Sequence, residues 1–283
     1  MKDKIIAIIL GFMVIFAASC TEKVDLKLES GYERLVVVGS VTDRQGPQRI
    51  TLTKTSDYFY NAPAPKVVGA TVKVTDGTST WNFKETEPGV SGVYDSPRDF
   101  TGNPGRTYTM TAELAEPIAG HNTYESSCYL PAVTHLDSIR TEFQPDWGKK
   151  GFWLVKIYAQ DPPGERNYYM LNIYKNGHLW SDTITKVSVS DDQFFDGTYL
   201  NGADAWLINN EHDWQTLHKG DTVRVELSGV TKEYYNFIQQ VQQSGFNIPF
   251  FSGPPANVQG NVNNDGTGFF SAYSSSFAST VVK

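Results

Sequence analysis

Ala70-Thr71-Val72-Lys73-Val74-Thr75-Asp76-Gly77-Thr78-Ser79-Thr80-Trp81-Asn82-Phe83-Lys84 carries the clearest structural signal in the chain. Up to Thr75 apolar and polar residues alternate with a period of two, the spacing of a strand with one buried face. Asp76-Gly77 then supplies residues that tolerate the backbone of a tight turn, and a second alternating run follows. A β-hairpin is predicted. The same signal recurs outward in both directions. Upstream, Arg34-Leu35-Val36-Val37-Val38-Gly39-Ser40-Val41-Thr42 and Arg49-Ile50-Thr51-Leu52-Thr53-Lys54 read as strands joined by a turn at Asp43-Arg44-Gln45-Gly46-Pro47. Downstream of Gly105, strands are expected over residues 107–114 and 123–130.

Five to seven short strands with Gly- and Pro-rich turns fit a small immunoglobulin-like β-sandwich over residues 32–131. Residues 132–283 also read as mainly β, with runs at 152–159, 168–174, 183–189 and 222–228. A last strand-like stretch places Phe269, Ser271, Tyr273, Ser275 and Phe277 on alternate positions. The exception lies over residues 231–244, where Tyr234, Phe237, Ile238 and Val241 recur at helical spacing behind Thr231 as N-cap, with Gly245 as the stop. The expected fold class is mainly β: an N-terminal sandwich, then a second β-rich domain with one short helix.

The chain begins Met1-Lys2-Asp3-Lys4 and runs apolar over residues 5–18, interrupted by Gly11. A charged start followed by an apolar run is the pattern of an export leader. The run is shorter than the ~20 residues that cross a hydrocarbon core of ~30 Å. Phe16-Ala17-Ala18-Ser19-Cys20 resembles the bacterial lipobox. That resemblance implies a signal peptide over residues 1–19, acylation of Cys20, and a polar tether over 20–31 that holds the chain at a membrane. Thr21-Glu22-Lys23-Val24-Asp25 resembles the acidic tag that sends some lipoproteins to the outer face of the cell, so an outer-membrane, surface location is expected.

Composition narrows the partners. The formal net charge of −7 becomes −8 when the leader takes two lysines and one aspartate with it, and nucleic acid is not expected. Charged residues make up 19%, below the ~25% of typical soluble domains, and aromatic residues 13%, which favours strands. Cys128 is the one cysteine besides Cys20, so a disulfide is not expected. Within a strand, its thiol reads as buried and inert.

The search for chemistry yields no catalytic set. His121, His135, His178, His212 and His218 do not fall into a metal-binding spacing. Asn209-Asn210-Glu211-His212-Asp213-Trp214 reads as a solvated loop. Asn261-Val262-Asn263-Asn264-Asp265-Gly266 resembles the start of a calcium loop, but Asn261 replaces the first Asp and Ala272 stands where a bidentate Glu belongs, so it reads as a turn. Gly-x-Ser-x-Gly does not occur. Neither enzyme activity, a metal nor a cofactor is expected. Aromatic residues set among polar ones are the candidate contacts for a ligand or partner: Tyr58, Phe59 and Tyr60; Trp147 and Trp153 flanking Gly148-Lys149-Lys150-Gly151; and Phe194 and Phe195 in an Asp-rich stretch.

Several segments, taken in order, are similar to one family. They are the lipobox; Arg34-Leu35-Val36-Val37-Val38-Gly39; Thr51-Leu52-Thr53-Lys54-Thr55-Ser56-Asp57-Tyr58-Phe59; and Val68-Gly69-Ala70-Thr71-Val72. Near the end come Glu233-Tyr234-Tyr235, Asn257-Val258-Gln259-Gly260-Asn261-Val262 and Gly268-Phe269-Phe270-Ser271-Ala272-Tyr273. Together they resemble domain of unknown function 4249, a family of Bacteroidota lipoproteins. Residues 68–114 also resemble the carboxypeptidase-regulatory-like β domain found at the front of many TonB-dependent receptors. The resemblance implies an outer-membrane lipoprotein acting as a non-catalytic accessory or ligand-binding partner of a TonB-dependent barrel transporter. It implies no catalytic residues. A structural or adhesive envelope protein and a hydrolase of an exported polymer stand as the alternatives.

Overall fold

The predicted hairpin forms β3 (Thr71–Thr75) and β4 (Thr80–Glu85) in a computed structural model that describes residues 33–55, 63–210, 216–244 and 258–283. Val72, Val74 and Phe83 point into the core while Lys73 and Asn82 pair on the opposite face. The turn is held by Asp76, whose Oδ1 accepts the amides of Thr78 at 3.0 Å and Ser79 at 2.7 Å. Gly77 takes a positive φ of 84° there. The signal peptide, Cys20 and the tether lie outside the described residues.

Around this hairpin runs a sheet of twelve strands. Its others are β1 (Leu35–Thr42), β2 (Arg49–Lys54), β5 (Val93–Asp95), β6 (Thr107–Ile118), β7 (His121–Tyr129), β10 (Tyr168–Lys175), β11 (His178–Leu179), β12 (Ser188–Asp191), β14 (Thr222–Gly229) and β15 (Thr267–Val281). The order is β11-β10-β14-β15-β1-β2-β5-β4-β3-β6-β7, with β12 also on β10. A second sheet has the order β13-β9-β8, from β8 (Leu136–Gln144), β9 (Phe152–Gln160) and β13 (Tyr199–Asn209). The fold is mainly β, as read from the sequence, and α1 (Lys232–Ser244) is the one α-helix among the described residues. Thr231 caps it, its Oγ1 accepting the Tyr234 amide at 3.3 Å. None of the described helices is long and apolar enough to cross a membrane.

Two large cores divide near Pro131, and a small third cluster joins Met170 and Val230 to Ile238 of α1. The first holds Leu35, Ile50, Val74, Tyr94, Tyr108 and Tyr124; the second, from Leu136 onward, lies between the small sheet and β10 and β14. They are not, however, two consecutive domains. Residues Glu33–Lys283 form one compact unit because β15 belongs to both halves. From Thr267 to Tyr273 it pairs in parallel with β1, and from Ser274 to Val281 it pairs antiparallel with β14. Phe270 and Ala272 fill the first core, and Ala278 packs on the second. Ser274 and Ser276 tie down the crossing, one donating to the Pro131 carbonyl at 2.7 Å and the other accepting the Leu136 amide at 2.8 Å.

Two local expectations need correction. The strand expected over 183–189 is a 3-10 turn, Ile184–Lys186, followed by β12. Gln242 of α1 donates to the Ile184 carbonyl at 3.0 Å and the Val187 carbonyl at 2.7 Å, so the helix takes acceptors that a longer ladder would have used. Strand β13 gave no alternating signal because its register shifts twice, between Asn201 and Ala203 and between Asp204 and Trp206. Each shift moves the apolar side chains to the other phase of the pleat.

Candidate functional site

The residues that line the inter-sheet cavity are set by strand alternation. Inward positions of β9 bring Ile157 and Ala159, its neighbour β13 brings Leu200, and the facing strands β10 and β14 bring Leu171 and Leu227. They leave a half-open cavity of about 280 Å³ in the second core, just under the ~300–1,000 Å³ of small-molecule sites. Asp161 and Tyr169 form its buried polar end, and Thr134, Ser188, Ser190 and Asp204 are the other polar residues of its lining. Tyr169 Oη donates to Asp161 Oδ1 at 2.6 Å, and the Gly197 amide donates to Oδ2 at 2.9 Å. Burial first, then the bond to Asp161 and the carboxylate charges around it, drive the Tyr169 phenol far above its ordinary range, so it stays a donor.

Behind Asp161 the loops after β9 and β12 converge. Asp161, Asp192 and Asp196 each bring one carboxylate oxygen within 4.8 Å of the others, and the first two are only 1% exposed. At that separation and an effective dielectric of ~20, two such charges repel by roughly 3 kcal/mol. Local donors offset part of this. The Asn167 amide reaches Asp192 Oδ2 at 2.7 Å, the Gly164 amide reaches Asp196 Oδ1 at 2.8 Å, and Arg166 Nε lies 3.6 Å from Asp192 Oδ1. Three carboxylates alone fall short of the ~6–8 oxygens of a calcium shell.

The sequence candidates separate here. Phe195 turns inward, lines the cavity and lies nearly parallel to Tyr169, with centroids 6.4 Å apart. Phe194, its neighbour, is 91% exposed. Trp147 is exposed in the turn before β9. Trp153 is half-buried against Phe143 at 5.0 Å, and its Nε1 is buried without a hydrogen-bond partner. Tyr58, Phe59 and Tyr60 lie outside the described residues. The structure thus brings Phe194 and Phe195 to the cavity loop, while Trp147 sits in the turn before β9 and Trp153 in the first residues of that strand. Sequence reasoning missed Asp161, Asp192 and Asp196. The Asp-rich stretch around Phe194 was the available signal, but Asp161 is too distant in sequence to join it by spacing.

A cleft of about 380 Å³ lies outside the cavity, between Val187–Val189 on one side and Ala205–Leu207 on the other, next to Gln239 and Gln242. Ser188, Val189 and Ala205 line both spaces. A third space, a groove of about 600 Å³, runs beside α1 over β1 and β15, where Val38 is exposed.

The loop resembling a calcium site has another role. Asn263 exchanges hydrogen bonds with Glu125, donating its amide at 3.0 Å and accepting the Glu125 amide on its side chain at 2.7 Å. Asn261 Nδ2 donates to the carbonyls of Ser127 at 3.1 Å and Phe270 at 2.8 Å, and Asn264 Nδ2 to Thr123 at 2.8 Å. The asparagines therefore seal the backbone edge of β7, which would otherwise be open to strand pairing.

These features define a mainly β protein whose second core, between two sheets, holds a small, half-open apolar cavity bordered by carboxylates. By sequence the chain belongs to the family described as domain of unknown function 4249, which it matches over residues 21–277. None of the curated proteins matches it.

Proposed function

We propose that this chain is a lipid-anchored protein of the bacterial outer membrane, held at the cell surface, that serves as a non-catalytic ligand-binding accessory to a TonB-dependent transporter. The observation that carries the reading is the inter-sheet cavity: an apolar space of small-molecule size beside a loop that presents Phe194 to solvent at 91% exposure. Such a cavity suits a small ligand. An exposed ring on a loop held by hydrogen bonds suits an anchor for a protein partner. The apolar leader and Cys20 support the membrane end of the reading. The resemblance of residues 68–114 to the β domain at the front of many TonB-dependent receptors supports the choice of partner.

The test is purification from native membranes in mild detergent through a C-terminal tag. The expected result is one TonB-dependent barrel in near-equal amount, with recovery reduced several-fold by Phe194→Ser. Recovery of the lipoprotein alone would overturn the accessory role. Cys20→Ala is expected to move the protein from the membrane to the soluble fraction, and its retention in the membrane would overturn the anchor.

A further inference from the structure

Resting on the ligand-binding reading of the same cavity, its chemistry can be taken further. The walls are aliphatic at Ile157, Leu171, Leu200 and Leu227 and aromatic at Phe195. An apolar ligand body suits them. The polar end is a carboxylate, and both groups that hydrogen-bond to it, Tyr169 Oη and the Gly197 amide, are neutral. A carboxylate has about four acceptor positions, and these two donors occupy two. Asp192 and Asp196 crowd the same place, whereas Arg166 is shared between Asp192 at 3.6 Å and Asp191 at 2.8 Å. Negative charge therefore exceeds positive at this end. An anionic ligand is repelled there, and a neutral one leaves the excess in place. A protonated amine on an apolar body complements both the walls and the end, and the aromatic ring beside Asp161 adds a surface that attracts cations.

We propose that the cavity binds a small organic amine, its alkyl or arylalkyl body between the sheets and its ammonium group toward Asp161. Three ligands that share one skeleton and differ in charge test this: phenethylamine, 2-phenylethanol and phenylacetate, each titrated calorimetrically into the full chain in mild detergent. The amine is expected to bind about tenfold tighter than the alcohol, with the acid weakest. Leu200→Trp, which fills the cavity, is expected to abolish binding. Asp161→Asn is expected to remove most of the preference for the amine over the alcohol. Asp196→Asn, on the exposed side of the cluster, gives a smaller loss of about threefold and keeps the test sound where Asp161→Asn melts.

Equal affinities for amine and alcohol in the unaltered protein would overturn the charge preference. Failure of all three to bind, or amine binding that survives Leu200→Trp, would overturn the site. Calcium binding that Asp161→Asn removes, in a protein that ignores the amine, would assign the carboxylates to a metal and overturn the proposal. A barrel that copurifies with a protein that ignores the amine would leave the accessory role standing and remove this inference alone.

Discussion

Single residues show where burial decides chemistry. Cys128 lies in the first core, and burial pushes its thiol up to about 11, from an ordinary value of 9.0. The thiol is therefore protonated at neutral pH, and the folded protein is expected to react slowly with iodoacetamide at pH 8 and rapidly in urea. The stability consequence has a definite sign. Because the folded value is raised, the contribution is full below about pH 9 and falls away as pH rises towards 11, by up to about 3 kcal/mol. Chemical denaturation of Cys128→Ala across that window is expected to lose part of the slope. Glu226 is the second case. It is buried on β14 and accepts from Tyr174 Oη at 2.6 Å, Ser275 Oγ at 2.8 Å and Arg44 Nη1 at 3.4 Å. Burial, and next the bond to Glu226, push the Tyr174 phenol up to about 12. Glu226→Ala strands these donors and is expected to cost about 3 kcal/mol in urea denaturation. An unchanged midpoint would show that the network adds nothing. The burial of Cys128 was legible from its place in an alternating strand. Which of Phe194 and Phe195 turns inward was not, since neighbouring residues on a loop carry no phase.

At the level of the element, legibility followed regularity. The β3–β4 hairpin and α1 could be read because period and capping residues agreed. Strand β13 could not, because its two register shifts scramble the alternation. The acidic cluster was equally hidden, since the loops that carry its members meet only once the two sheets pack. The start of β15 makes a sharp backbone demand. Gly268 has a φ of 86°, and a Cβ there would run into the Val37 carbonyl. Gly268→Ala is expected to cost at least about 2 kcal/mol and to lower the melting temperature by several degrees. Asn261→Ala removes the clamp between β7 and β15 and is expected to raise hydrogen exchange at the Phe270 amide, which donates to Asn261 Oδ1 at 2.9 Å, with a smaller loss of stability, about 1–2 kcal/mol. Unchanged exchange at that amide would mean that Asn261 does not hold the junction.

Across the whole molecule, β15 makes the two cores interdependent. Each loses a bordering strand without it: the first loses Phe270, whose full burial is worth about 1.5–3 kcal/mol by itself, and the second loses the partner of β14. Calorimetry of the region Glu33–Lys283 is expected to give one transition with matching calorimetric and van't Hoff enthalpies. Two resolved transitions would show that the halves unfold independently. A chain stopped after Asp265 is expected to lack both cores by near-ultraviolet circular dichroism, although every residue of the β1–β7 region is present. That dependence also has a direction in time. Strand β1 is made well before its parallel neighbour in the sheet, β15. Until β15 emerges, neither half has received the strand it needs to close. The fold thus postpones its own completion, and the waiting edge of β1 stays open to whatever other strand can pair with it.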